Sequence, residues 1–273
     1  MNVWQDSPYW KQSRNNIYVA AHRGFCAKYP ENTIPAFEAA LALGVDQIET
    51  DVRITKDGEL ALIHDVTVDR TSDGKGKVDE FTYEELMRLD FGLYKGEEFR
   101  GTRVVTLKEF FELVKDHPTL TLDLEFKEYP HPGHEEVAFS VCDRVIAMVE
   151  EYGFADRVVL NSANGKLHEY IQDKYGNRYR QHVFFPIMWL PGYTRNPYNY
   201  AYSCCMFSAM ANGGLALPAE CDHIAALGVQ PWGGAYIRDE KTVAEAIACG
   251  VTLITCNNPD VILALLRKWG KHA

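Results

Sequence analysis

Stretches with a two-residue apolar repeat and stretches with a helical apolar repeat follow one another along most of this chain. That order limits its fold more than any other property. Strand signals lie at 17–21, 119–127, 157–162, 181–187, 228–232 and 251–255. Helix signals lie at 33–43, 107–115, 135–152, 166–174, 219–227, 240–249 and 259–269. Within 135–152, Val137, Val141, Val145, Met148 and Val149 recur at helical spacing. Asn32 or Thr33 can cap the first helix, and Gly44 can end it. Strands joined through helices indicate a mostly parallel sheet. The 273 residues match one (β/α)8 barrel of the TIM type, which takes roughly 250 residues. The expectation is an α/β fold with one domain over 1–273.

One pair of strands departs from that order. Residues 47–54 and 59–64 flank Lys56-Asp57-Gly58-Glu59, whose Asp-Gly step signals a two-residue hairpin. With Asp57-Gly58 as the loop, Lys56 pairs with Glu59 and Asp51 falls directly opposite His64 on one face. A slip of one residue turns His64 to the other face. Glu49 and Asp51, two apart, share a face. Adjacent carboxylates repel unless a proton or a cation lies between them, and a hard divalent metal is the usual partner of paired oxygens. In 119–127, Leu120, Leu122, Leu124 and Phe126 alternate with Thr121, Asp123, Glu125 and Lys127. An apolar face toward helices and a polar face inward suit a barrel strand near its functional end. Glu125 would then complete an oxygen site with Glu49 and Asp51, and Lys127 would meet the charge of a phosphate. The plain alternative is an amphipathic strand with its polar side in water.

His22-Arg23-Gly24, Pro30-Glu31-Asn32-Thr33, Glu49-Thr50-Asp51-Val52, Thr55-Lys56-Asp57-Gly58, His64-Asp65 and Glu125-Phe126-Lys127 follow in that order. Together they resemble the signature of the glycerophosphodiester phosphodiesterase family. The resemblance is strongest from His22 to Lys127. It makes 65–105 the insertion that follows the second catalytic histidine; within it, Thr82 with Glu85 three residues on starts a helix at 82–89. It makes Trp232 a strand-end substrate residue, and 254–260 the closing strand-to-helix turn. Three positions depart from the family pattern: Asn257 replaces a common Asp, Gly233 replaces a Thr after Trp232, and Val105 replaces a Pro. They bear on substrate preference more than on activity.

The parts imply a reaction. Glu49, Asp51 and Glu125 would hold one Mg²⁺ or Ca²⁺, since all-oxygen ligation disfavours Zn²⁺. Arg23 would bind phosphate oxygens by its fork and Lys127 as a point charge. Two imidazoles suit a base and an acid near neutral pH, with His22 as base and His64 as acid. The resemblance implies attack by the glycerol's own hydroxyl, a cyclic phosphate, and the products glycerol 3-phosphate and an alcohol. Two rivals stay open: a related hydrolase of lipid phosphodiesters, and a barrel that only binds phosphodiesters.

A net charge of −10 argues against general nucleic-acid binding and against simple docking on anionic membranes. No apolar run reaches transmembrane length, and Met1 to Pro8 has no signal-peptide pattern. Seven scattered cysteines suggest reduced thiols and a cytoplasmic setting. Cys204-Cys205 reads as core packing, His131 and His134 as a solvated loop, and His182 has no assignable acidic setting. The aromatic stretch 185–203, with Trp189, Tyr193, Tyr198, Tyr200 and Tyr202, either walls the barrel mouth or buries its own rings.

Overall fold

The computed structural model describes residues 17–208 and 214–273; Met1 to Pro8 lies outside them. The chain begins with β1 (Tyr18–His22), α1 (Ile34–Leu43), β2 (Gln47–Ile54), β3 (Leu60–Leu62), α2 (Tyr83–Leu86), α3 (Leu107–Val114) and β4 (Thr121–Phe126). It continues with α4 (Glu135–Glu151), β5 (Val158–Asn161), α5 (Gly165–Tyr175), β6 (Arg180–Phe185) and β7 (Ser203–Met206). The last elements are α6 (Pro218–Ala226), β8 (Gln230–Gly233), α7 (Glu240–Ala248), β9 (Leu253–Cys256) and α8 (Pro259–Lys268). Strands β1, β2 and β4 to β9 pair in parallel, and β9 returns to β1, so the ring is closed. The expected TIM-type barrel is therefore present, with β3 as an antiparallel appendage on the end of β2.

Alternation along the strands divides the interior. Ile48, Val52, Leu122, Leu124 and Phe126 pack outward against helix residues such as Phe37, Phe110 and Val145. Ala20, Val159, Tyr202, Trp232 and Leu253 form a separate cluster inside the ring. Inward positions nearer the C-terminal ends of the strands are polar instead: His22, Glu49, Asp51, Asp123, Glu125 and Asn161. The polar side of β4 thus faces the barrel interior rather than bulk water, and every residue of that strand is buried.

The hairpin register differs from the expectation by one residue. Val52 pairs with Leu62, Arg53 with Ala61 and Ile54 with Leu60, which puts Ile63, not His64, in line with Asp51. The loop holds three residues: the Thr55 N–H donates to the Glu59 carbonyl at 2.9 Å, and Gly58 takes φ +93°. Three-residue hairpins use a left-handed glycine in this way. Because β3 stops at Leu62, alternation no longer governs His64. Arg53 positions it, donating from Nε and Nη2 to the His64 carbonyl at 3.1 and 2.9 Å.

β7 is an eighth barrel strand that the sequence did not announce. Ser-Cys-Cys-Met shows no alternation, because neighbouring strands and both faces bury it completely. The helix expected over 82–89 shrinks to the single turn α2, closed by a Thr82–Glu85 capping box. Around it, 65–105 builds a small core of Val68, Val78, Leu86, Phe91 and Val104.

Gly24, at the turn leaving β1, has φ +76°, and a Cβ there would sit 2.7 Å from the Ala36 carbonyl carbon. Gly24→Ala is expected to lower stability by about 1–3 kcal/mol. It should also shift the adjacent Arg23. Denaturant unfolding and turnover, measured on the same sample, check both.

Candidate active site

Glu49, Asp51 and Glu125 converge from β2 and β4, where Asp51 is the register partner of Glu125. All three are buried, and one oxygen from each lies within 4.8 Å of the others. Glu49 Oε2 accepts the Arg23 N–H at 2.9 Å, while Oε1 is buried without a hydrogen bond. Asp51 Oδ2 accepts from Asn32 Nδ2 at 2.9 Å and faces Arg23 Nε at 3.3 Å. Thr50 donates to Asn32 Oδ1 at 2.8 Å, which turns that amide toward Asp51. Lys127 Nζ stands 3.1 Å from Asp51 Oδ1 and bonds Glu125. Three buried carboxylates served by Arg23 and Lys127, with one oxygen orphaned, suit a divalent cation held by oxygens.

The electrostatics follow from burial. Burial, together with the charges of Asp51 and Glu125, pushes Glu49 well above the usual carboxylate range. Burial acts the same way on Asp51, but Lys127 and Arg23 outweigh it and hold that carboxyl well below the usual range. His22 is lowered to about 4 by burial and by Arg23. Its Nδ1 meets Asn257 Oδ1 at 2.6 Å, and its Nε2 lies 3.9 Å from Glu49 Oε2.

His64 borders a small pocket with Glu31, Asn32 and Thr33, on the far side of the Asn32 amide that donates to Asp51. Its Nδ1 meets Asp65 Oδ1 at 2.6 Å, and Arg70 holds that carboxylate from Nε at 2.6 Å. Arg70 also grips Glu31, which accepts from Arg23 at 2.8 Å. The segment 65–105 therefore braces both His64 and Arg23.

A cavity of about 260 Å³ opens beside these groups. His22, Glu49 and Glu125 line one side, and Phe184, Phe207 and Tyr236 the other. Trp232 does not reach it. It is 1 % exposed, two residues deeper along the chain than the cavity-lining Gly234, with its ring edge against His182 at 4.7 Å. His182, unassigned from sequence, lines the cavity and bonds Asp123 Oδ2 from Nδ1 at 2.7 Å. The inward period of β4 is legible in the sequence, but β5 separates β4 from β6, so nothing local pairs the two residues. Cys204 is core, as expected, whereas Cys205 belongs to the cavity wall. His134 bonds Glu128 at 2.9 Å, and Glu128 in turn pairs with Arg53, so it is more than a solvated loop residue. The aromatic stretch divides: Tyr198 and Tyr202 are buried, while Trp189 is 53 % exposed with its ring 6.0 Å from Phe207. Among the described residues, no helix is long and apolar enough to cross a membrane.

Comparison with known proteins agrees with this geometry. Residues 22–261 match the glycerophosphoryl diester phosphodiesterase family. A glycerophosphodiester phosphodiesterase from Caldanaerobacter subterraneus subsp. tengcongensis is 36 % identical over 256 residues, covering 92 % of this chain and 98 % of that one. One from Bacillus altitudinis is 42 % identical over 146 residues, or 53 % of this chain and 57 % of its own. In fold, the chain is similar to an Oleispira antarctica phosphodiesterase solved in complex with the product sn-glycerol-3-phosphate. That likeness has a TM-score of 0.78 at 22 % identity, over 95 % of this chain and 99 % of that one. The extent of the family match and the near full-length relative lead to one assignment: this chain belongs to the glycerophosphoryl diester phosphodiesterase family.

Proposed function

We propose that the chain hydrolyses glycerophosphodiesters to glycerol 3-phosphate and an alcohol, with His22 and His64 moving the protons. The observation that carries this reading is the meeting of three buried carboxylates, the buried Lys127, the half-buried Arg23 and the imidazole of His22 at one barrel mouth, with His64 beside the Asn32 that bonds Asp51. Glu49, Asp51 and Glu125 would hold Mg²⁺ or Ca²⁺, which supplies positive charge for a non-bridging phosphate oxygen. Arg23 and Lys127 bind the remaining phosphate charge. His22 is held by the neutral amide of Asn257, which leaves its Nε2 lone pair toward the cavity to take the proton of the attacking hydroxyl. His64 is held by the carboxylate of Asp65, a partner that suits a ring carrying a proton to the departing alkoxide.

A coupled glycerol 3-phosphate assay over a panel of diesters tests this. Release should stop with chelator and return with Mg²⁺ or Ca²⁺; no release from any diester with any divalent ion would sink the proposal. A lipid phosphodiester as substrate is the second reading, favoured by the exposed Met188 and Trp189 beside the aromatic side of the cavity. Faster turnover of micellar than of water-soluble diesters would select it. In the same panel, Trp189→Ala is expected to change the ranking of head groups about threefold or more, the scale of a cation–π or packing contact. A uniform change across the panel would make Trp189 a packing residue only.

A further inference from the structure

The inner end of the cavity holds polar groups that the proposed proton transfers and phosphate contacts do not use. Asp123 Oδ1, Asn161 Oδ1, His182 Nε2 and Thr255 Oγ1 are all buried without a hydrogen-bond partner, and all four residues line the cavity. Asp123, Asn161 and His182 are at most 3 % exposed, and Thr255 is 8 %. A buried polar group left unpaired costs about 1–3 kcal/mol, so four around one cavity need partners from what the cavity holds.

The imidazole among them is fixed in place. Nδ1 donates to Asp123 Oδ2 at 2.7 Å, and the rings of Phe184, stacked, and Trp232, T-shaped, pack against it with centroids 5.8 and 4.7 Å away. Nε2 therefore has one direction. With Nδ1 donating to Asp123, Nε2 presents its lone pair or its hydrogen to the cavity, Asp123 and Asn161 offer oxygens, and Thr255 both donates and accepts. A phosphate group would meet the Asp123 carboxylate and be repelled, and a quaternary ammonium has no hydrogen to give. Adjacent hydroxyls can donate to these acceptors and accept from Thr255.

We propose that His182, clamped by Asp123, is a specificity-determining residue that, with Asn161 and Thr255, binds the hydroxyls of a polyol. This deepens the glycerophosphodiester reading and rests on it. The polyol is either the glycerol half of the diester or a hydroxylated alcohol half.

Calorimetric binding to the metal-loaded protein separates this from the hydrolysis itself, because it needs no turnover. The native chain should bind glycerol 3-phosphate at least tenfold more tightly than inorganic phosphate. His182→Leu and the nearly isosteric Thr255→Val should each reduce that ratio about fivefold or more while leaving phosphate affinity within twofold. Loss of the ratio places the glycerol half at His182. If the ratio is instead unchanged, kcat/KM over the panel decides. A loss confined to diesters of glycerol and inositol, with choline and ethanolamine diesters spared, places the alcohol half there. An unchanged ratio together with an unchanged ranking, or losses confined to ethanolamine and choline diesters, overturns the proposal. Should His182→Leu fail to fold, Thr255→Val alone gives the same readings. A native chain that shows the binding ratio but turns over no diester would refute the hydrolysis reading and keep the polyol site.

Discussion

His22→Ala and His64→Ala are each expected to lower turnover of a glycerophosphodiester with an alkyl leaving group by roughly a hundredfold or more, as removal of a general acid or base does. The two should part company when the leaving group changes. A p-nitrophenyl diester with a glycerol side expels an oxygen that needs little protonation. The variant without the acid is then partly rescued, and the variant without the base is not. The hydrogen bonds assign rescue to His64→Ala, since His64 meets a carboxylate and His22 an amide. Rescue of His22→Ala instead would exchange the roles. Near-native turnover in both variants would end acid–base catalysis by these rings and leave the charges of Arg23 and the carboxylate site as the source of rate.

Removing a carboxylate from the trio should have an effect of similar size and a second, opposite signature. Glu49→Gln, Asp51→Asn and Glu125→Gln are each expected to cut turnover by about 10²–10³, the scale for losing one electrostatic contact to the transition state. Each should also abolish the rise in melting temperature expected on adding Mg²⁺ or Ca²⁺ to the native chain, a stabilisation of about 2.7 kcal/mol at a hundred times the dissociation constant. In chelator the sign reverses for Glu49→Gln. Its carboxyl is destabilised by burial and by the charges of Asp51 and Glu125, so the neutral amide should leave the metal-free fold as stable or more so. Asp51→Asn should instead destabilise in chelator, because Lys127 and Arg23 lose the anion they face. A metal-induced shift that persists in all three variants would place the ion elsewhere.

Local rules carried the reading a long way. The Thr82–Glu85 capping box, the Gly44 stop and the alternation of β4 are properties of a few neighbouring residues, and they appear where the spacing puts them. Local rules failed wherever a residue count had to be supplied by something distant. The hairpin loop took three residues rather than two, a choice its Asp-Gly step permits either way. That moved His64 out of line with Asp51, and Arg53, reaching the His64 carbonyl, positions it instead.

Sequence alone determined which side chains of the alternating strands β2 and β4 face inward and where most elements form, because strand and helix periods are set by backbone geometry within a few residues. It thereby placed Glu49, Asp51, Glu125 and Lys127 on inward faces near one end of a barrel. Only closure of the ring decided who meets whom across it. His22 finds Asn257, 235 residues away, because β9 returns to β1. His182 finds Asp123 across β5 because inward side chains of a closed ring converge toward its axis. The same closure put Trp232 beneath His182 rather than at the cavity, since depth along the barrel axis is fixed by the stagger between neighbouring strands, which no single strand encodes.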